Sequence, residues 1–225
     1  MSRYCFSVML ALAAVLICPW SVALAQSQQQ HDWCYAESAT DAQTIEGCTA
    51  LVEHAGLSGR ALAIVLYDRG LSYENTKQYA LALEDFSQAV ALDPTYAAAY
   101  DDRGNTLARM NEYQQAVADY DKSIALKPTA LYYSNRGFVH YKLGNLDQAL
   151  EDLNESLRLN PNVGRTLVNR ALVYLAKHDC PSALQDFLAA KSVNWVADTE
   201  VASARSQCGA MMDGFSATSI PASGH

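Results

Sequence analysis

Apolar residues recur with a helical period from Ala63 to Pro94. They fall at i, i+3, i+4 and i+7 in two successive half-units, each followed by polar or helix-breaking residues. This spacing places the apolar side chains of each half-unit on one face, as in an amphipathic helix of about three to four turns. We therefore predict that Ala63 to Pro94 forms a helical hairpin.

The same hairpin pattern returns three more times. In each copy, an aspartate precedes the large residue of the second half-unit, and successive aspartates are 34, 33 and 34 residues apart: Asp85, Asp119, Asp152 and Asp186. A fixed period of this size is typical of stacked repeats, which bury their apolar faces against their neighbours. The predicted repeats are 63–96, 97–129, 130–163 and 164–197.

Small and large residues occupy fixed positions in these copies. Gly70, Gly104 and Gly137 stand inside the first helix, where glycine costs about 0.5–1 kcal/mol relative to alanine. The second helix carries an alanine and, four positions later, a large residue: Ala82 and Phe86, Ala116 and Tyr120, Ala149 and Leu153, Ala183 and Phe187. The recurrence predicts close packing of the two helices. Proline ends the second helix in three copies, and Trp195 takes that position in the fourth.

These positions match a known repeat pattern. In the first copy the residues follow the spacing W-x2-L-G-x2-Y, A-x3-F and P, with Leu66, Gly70, Tyr73, Ala82, Phe86 and Pro94. Residues 63 to about 197 thus resemble the tetratricopeptide repeat family. The resemblance implies an all-α fold, a right-handed superhelical solenoid of helix-turn-helix repeats, and a ligand groove on the concave face formed by the first helix of each repeat. The terminal repeat is expected to need a C-terminal capping helix.

The resemblance also implies candidate partner-binding residues on that concave face. They are Tyr67, Leu71, Asn105, Arg109, Phe138, Tyr141, Lys142, Arg165 and Leu172. The family's carboxylate clamp for acidic chaperone tails needs lysine and asparagine where this chain has Tyr67 and Leu71. We expect instead an extended segment with one acid and one apolar anchor, held by Arg109, Lys142 and Arg165 beside aromatic side chains. The alternative is that some of these residues only shape the inner wall.

One departure from the family pattern recurs, because an arginine precedes the glycine position in every copy: Arg69, Arg103, Arg136 and Arg170. A row of arginines could bind an anionic ligand. The other interpretation is a ladder in which each arginine pairs with the recurring aspartate. We favour the ladder because both charges recur together.

The first 25 residues have the features of a cleaved signal peptide. Arg3 supplies a positive start, 4–17 an apolar core too short to span a bilayer, and Ala23-Leu24-Ala25 a small-x-small cleavage site. We expect an exported chain that is periplasmic or secreted and not stably inserted in the membrane.

Cleavage would leave 15 basic and 24 acidic residues, a net charge of −9. An acidic balance of this kind argues against nucleic acid as a partner. Four cysteines would remain, which in an exported chain indicates disulfides with three possible connectivities. Sequence proximity favours Cys34 with Cys48 and Cys180 with Cys208. A metal site that also uses His31, His54 and His178 is the alternative, but their spacing does not support it.

The repeats are flanked by less regular segments. Residues 26–60 read as a polar lead-in and a degenerate helical hairpin. Residues 198–211 read as the capping helix, with apolar Val201, Ala204 and Cys208 at helical spacing, and 212–225 as a disordered tail.

Motifs for catalysis are not found. The sequence has no glycine-rich phosphate loop, no G-x-S-x-G and no H-E-x-x-H. We interpret His140 as a satisfied core histidine, and neighbouring acids such as Asp101 and Asp102 as residues of solvated helix faces. No enzyme activity, cofactor or metal is predicted.

The sequence therefore predicts an exported, non-catalytic protein-interaction module that binds a peptide or partner segment in its concave groove. The alternative is a structural or chaperone-like assembly subunit of an envelope complex that uses its convex or edge surface. The partner and the oligomeric state are not indicated.

Overall fold

The computed structural model describes the backbone of residues 28–218 and the side chains of 28–209. The segment between these limits is helical throughout and contains no strand. The helices are α1 (28–35), α2 (Asp41–His54), α3 (Gly59–Asn75), α4 (Tyr79–Leu92), α5 (Ala97–Arg109), α6 (Tyr113–Leu126), α7 (Ala130–Lys142), α8 (Leu146–Leu159), α9 (Gly164–Ala176), α10 (Cys180–Ser192) and α11 (Asp198–Thr218). The signal peptide expected at 1–25 lies outside the described residues.

Four helical hairpins stack along the chain. The pairs α3 and α4, α5 and α6, α7 and α8, and α9 and α10 pack tightly, and each second helix also contacts the first helix of the next pair. The first helices additionally contact one another from repeat to repeat, α3 with α5, α5 with α7 and α7 with α9. These first helices therefore form the inner layer of the stack. The predicted all-α solenoid of repeats is confirmed.

Close packing within a repeat depends on the glycine of the first helix. A Cβ atom added to Gly70 would lie 2.7 Å from the ring of Phe86, and one added to Gly104 would lie 2.9 Å from the ring of Tyr120. In the third repeat, the added atom at Gly137 would lie 2.9 Å from Leu153 Cγ. The large residue of each second helix thus occupies the space that a side chain at the glycine would need.

The arginines form the ladder that we favoured from sequence. Each donates through Nε and NH2 to both carboxylate oxygens of the aspartate on the second helix of its own repeat, at 2.6–2.9 Å. The pairs are Arg69 with Asp85, Arg103 with Asp119, Arg136 with Asp152, and Arg170 with Asp186. These aspartates are buried. The bidentate pairs fix the register of the two helices in each hairpin.

The turn inside each hairpin uses one left-handed residue. It falls at the same position of each repeat, with φ between 59° and 77°: Lys77, Asn111, Gly144 and His178. Only the third repeat has glycine there, the residue for which this conformation carries no penalty. The other three positions bear side chains in a conformation that L-residues seldom adopt.

Disulfides close both ends of the stack. Cys34 and Cys48 link α1 to α2, and Cys180 and Cys208 link α10 to α11. These are the pairings that sequence proximity favoured. The capping helix α11 buries Val201, Ala204 and Cys208 against α9 and α10, as predicted.

The extent of α11 differs from the prediction. We expected the helix to end at residue 211 and a disordered tail to begin at 212, but α11 continues to Thr218. The physical reason is composition, because residues 212–218 contain no proline and only one glycine, so nothing in them stops a helix. Within the described part of the chain, no helix is both long and apolar enough to cross a membrane.

Candidate functional site

A pocket of about 400 Å³ opens on the inner face where α5, α7 and α9 meet. We call it the inner pocket. It is lined by Asn105, Ala108, Arg109, Tyr113, Tyr120, Asn135, Phe138, Lys142, Arg165 and Asn169. Five of the nine residues expected from sequence are in this list. The superhelical stacking brings them together, since residues 33 or 34 positions apart occupy equivalent places on neighbouring first helices.

Three cations surround the inner pocket. Arg109 and Lys142 occupy the same position of successive repeats, and Arg165 approaches from α9. Lys142 is exposed and lies over the rings of Phe138 and Tyr141, at 5.2 and 5.8 Å from their centroids. Among the described residues it forms no ion pair. Its ammonium group is therefore available to an anionic ligand.

The other two cations are already engaged. Arg109 donates through Nε to Glu74 at 2.7 Å, although 59% of its side chain remains exposed. Arg165 donates through NH2 to Asn135 Oδ1 at 2.8 Å. Each guanidinium carries five N–H donors, so both keep donors for a ligand.

Beneath these cations lies a hydrogen-bonded layer of amides and acids. Asn135 donates through Nδ2 to both carboxylate oxygens of Asp101, at 3.0 and 3.2 Å. Tyr120 donates its hydroxyl to Asn105 Oδ1 at 2.9 Å, and Asn105 in turn donates to Asp102 at 3.1 Å. This layer connects α5, α6 and α7, and Arg165 of α9 donates to it through Asn135, so the pocket walls are held in fixed positions.

The acids of this layer were misjudged from sequence. Asp101 is buried and Asp102 half-buried, whereas we expected both on a solvated helix face. The expectation failed because the adjacent repeats cover this part of α5. Burial raises the pKa of Asp101 from 3.8 to about 7, against the hydrogen bonds from Asn135 and Asn105 that lower it. Burial similarly raises the pKa of Asp68 to about 6.

The remaining four expected residues lie outside the inner pocket. Tyr67 donates its hydroxyl to Asp102 at 2.7 Å and packs against Phe86 and Tyr96. Tyr141 packs against the core between α8 and α9, and Leu172 packs against the core that α11 covers. The fourth, Leu71, is half-buried on α3. Sequence position identified the inner layer but not the depth of each side chain.

Several pocket residues were missed from sequence. Asn135 and Asn169 precede the ladder arginines, and the same position holds Asp68 and Asp102 in the first two repeats. The change from aspartate to asparagine at this repeat position is a sequence feature that could have indicated these two pocket residues. Tyr113 and Tyr120 come from α6, a second helix, whereas the family resemblance points only to first helices.

The interpretation of His140 as a satisfied core histidine is wrong. Its Nδ1 is buried without a hydrogen-bond partner, and its Nε2 lies 4.0 Å from Asp152 Oδ2. Burial lowers its pKa, with Asp152 acting in the opposite direction and Arg136 in the same one. Within residues 28–209 no group of three or more His, Cys, Asp or Glu side chains is arranged to hold a metal ion.

Family comparison agrees with this geometry. The model of the tetratricopeptide repeat matches residues 63–96 and 130–163, and a second model, described as TPR repeat, matches residues 104–144. The matched segments, residues 63–96 and 104–163, are therefore similar to tetratricopeptide repeats (TPRs). A search of curated protein sequences found no match.

Solved structures share the TPR fold at low sequence identity. MamA from Desulfovibrio magneticus RS-1 is 18% identical, with a TM-score of 0.65 over 79% of this chain and 96% of that one. YrrB, described as a TPR protein with an unusual peptide-binding site, is 20% identical, with a TM-score of 0.59 over 76% of this chain and 84% of that one. The first TPR of Spaghetti (RPAP3), bound to the HSP90 peptide SRMEEVD, is 23% identical, with a TM-score of 0.52 over 53% of this chain and 96% of that one.

Proposed function

We propose that this protein is a TPR interaction module that binds an extended peptide segment in the inner pocket. The observation that carries the proposal is the position of Lys142 above the rings of Phe138 and Tyr141, exposed and without an ion pair to any side chain of residues 28–209. A carboxylate of the ligand would pair with this ammonium group. An apolar side chain next to that carboxylate would pack on Phe138.

The amide side chains give such a segment further partners. Asn105, Asn135 and Asn169 line the same pocket from three successive repeats. An extended peptide rises about 3.3 Å per residue and presents backbone donors and acceptors along its length. Amides on successive first helices suit that chemistry because each has both a donor and an acceptor. Of the similar structures, the first TPR of Spaghetti is bound to an HSP90 peptide, and YrrB is described as having an unusual peptide-binding site.

The proposed action needs no covalent chemistry. The pocket walls are held by the hydrogen-bonded layer of Asp101, Asn105, Tyr120 and Asn135, so the site is preformed. A preformed site binds with less loss of conformational entropy than one that must first become ordered. We propose that recognition of the partner, and not its modification, is the function.

Selection of binding peptides from a random 12-residue display library tests the proposal. Wild-type protein should enrich peptides with an acid close to a large apolar residue. For an enriched peptide, Lys142→Glu should weaken binding by about tenfold or more, the range of a charge-assisted hydrogen bond. The matched control is Lys122→Glu, the same charge change at an exposed position of α6. The proposal would be refuted if Lys142→Glu weakened the binding of no enriched peptide more than Lys122→Glu does.

We also propose that the chain acts after export, in the periplasm or outside the cell. Two disulfides are consistent with an oxidising compartment. The mass of the protein recovered from cells tests this directly. If the chain is exported, the recovered protein should begin at Gln26 and have its four cysteines oxidised to two disulfides. A protein that keeps Met1 and free thiols would contradict export.

A further inference from the structure

A second pocket, of about 390 Å³, lies on the opposite side of α5 from the inner pocket. Arg103 and Leu107 face it, whereas Asn105 and Arg109 face the inner pocket. With 3.6 residues per turn, these two pairs point in opposite directions from the helix axis. The other walls come from α4 and α6 and include Leu83, Ser87 and Ala118. We call this site the outer pocket.

The outer pocket opens at the weakest step of the arginine ladder. Besides its bidentate pair with Asp119, Arg103 directs NH1 toward Ser87 Oγ on the preceding repeat, at 3.5 Å. That distance is longer than the usual 2.7–3.2 Å of an N–H···O hydrogen bond. This N–H group of Arg103 is therefore poorly satisfied, in a side chain that is only 23% exposed.

Other repeats show what normally fills this place. The same nitrogen of Arg136 donates to Asp121 at 2.6 Å, and that of Arg170 donates to Asn154 at 2.7 Å. Ser87, Asp121 and Asn154 occupy one repeat position, two residues after the ladder aspartate. Ser87 Oγ lies farther from its arginine than these two acceptors do, and farther than Thr49 Oγ1 lies from Arg69 in the first repeat, at 3.1 Å.

The third repeat also shows that a ladder arginine accepts a second carboxylate. Arg136 keeps its bidentate pair with Asp152 while it donates NH1 to Asp121. Arg103 keeps the same bidentate pair with Asp119, and both side chains line the outer pocket. The apolar walls from Leu83 and Leu107 suit the methylene groups that carry a carboxylate.

We propose that the outer pocket binds an aspartate or glutamate side chain of a partner protein, whose carboxylate accepts the NH1 hydrogen bond of Arg103. The free energy of a single charged hydrogen bond is smaller than the entropy cost of association. The carboxylate therefore belongs to a larger docking surface and not to a free small acid. This site is separate from the inner pocket, and the chain would contact partners on two faces.

The test uses protein in which the inner pocket is disabled by Lys142→Glu together with Phe138→Ala. Selection of a random 12-residue peptide library on this protein should enrich acidic peptides. Replacement of the acid by its amide in an enriched peptide should weaken binding at least tenfold. Failure to enrich acidic peptides would overturn the outer-pocket proposal while leaving the inner pocket untouched.

The decisive variant is Ser87→Asp, which supplies the missing carboxylate from within the chain. It should abolish binding of the enriched peptide and raise the melting temperature. The raised melting temperature would show that the variant is folded and that only binding is lost. The matched control is Asn154→Asp, which places the same charge beside Arg170, and it should leave peptide affinity unchanged. Unchanged affinity of the Ser87→Asp protein, or equal loss in the control, would overturn the proposal.

Discussion

Arg69 donates Nε to Asp85 Oδ2 at 2.8 Å and NH2 to Asp85 Oδ1 at 2.7 Å, across the two helices of the first repeat. Only 14% of the arginine side chain and 3% of the aspartate side chain are exposed. A third donor of Arg69 reaches Thr49 of α2 at 3.1 Å. One guanidinium thus connects three helices, and the arrangement recurs along the stack.

Removal of one partner from this pair should be costly. Asp85→Asn leaves Arg69 with an uncompensated, largely buried charge, and we expect a loss of about 3 kcal/mol in the free energy of unfolding. Urea unfolding of the mature chain measures it. Glu84→Gln, one residue away and exposed, should change stability by less than about 0.5 kcal/mol. Similar losses in both variants would show that the ladder is not stabilising.

A methyl group at Gly104 should disturb both packing and binding. The added Cβ would lie 2.9 Å from the Tyr120 ring, whose hydroxyl is tied to Asn105. Gly104→Ala should therefore cost about 1–3 kcal/mol. Gly209 on α11 has nothing within 4 Å of an added Cβ, so Gly209→Ala should gain up to about 1 kcal/mol. Thermal unfolding of the two variants distinguishes these outcomes, and a neutral Gly104→Ala would contradict the close contact.

Buried Asp101 should make stability fall as pH rises. The pKa of Asp101 is raised from 3.8 to about 7, so the folded chain holds this proton more tightly than the unfolded chain does. Its contribution is fully present below about pH 4 and is lost as pH rises through about 7. Asp101→Asn removes this contribution. Urea unfolding at pH 5 and pH 8 should show a smaller pH-dependence in the variant, and an identical pH-dependence would contradict the assignment.

The two disulfides should stabilise to different degrees. Their sequence separations are 14 residues for Cys34 and Cys48, and 28 for Cys180 and Cys208. In the chain-entropy model these correspond to about 3 and about 3.6 kcal/mol. Serine pairs in place of each disulfide, compared by thermal unfolding, should both lower the melting temperature, with the C-terminal pair having the larger effect. A reducing agent should lower the melting temperature of every variant that keeps a disulfide, and it should leave that of a variant lacking both disulfides unchanged.

The hairpins and the arginine ladder could be predicted from the sequence, because both are encoded by residues that recur at a fixed spacing. Apolar residues at helical spacing predict each helix, and charges that recur together, as at Arg69 and Asp85, predict their own pairing. The disulfides followed from sequence proximity. The left-handed turn residues could not be predicted, because lysine and histidine at positions 77 and 178 do not indicate a positive φ as glycine would.

The inner pocket was only partly accessible. Position in the repeat identifies Phe138 and Lys142 as inner-layer residues, but burial depends on the superhelix that stacks one repeat on the next. That stacking converts Asp101 from an apparently solvated acid into a buried one. It also brings Tyr120 of a second helix into the pocket.

Site-directed photocrosslinking tests the central claim most directly. A photoreactive phenylalanine at Phe138 places the reactive group in the inner pocket, and the same residue at Leu188 places it on exposed α10. An acidic peptide whose binding is weakened by Lys142→Glu should crosslink to the protein modified at position 138 and not to the one modified at 188. Crosslinking from 188 alone, or from both positions equally, would contradict recognition in the inner pocket.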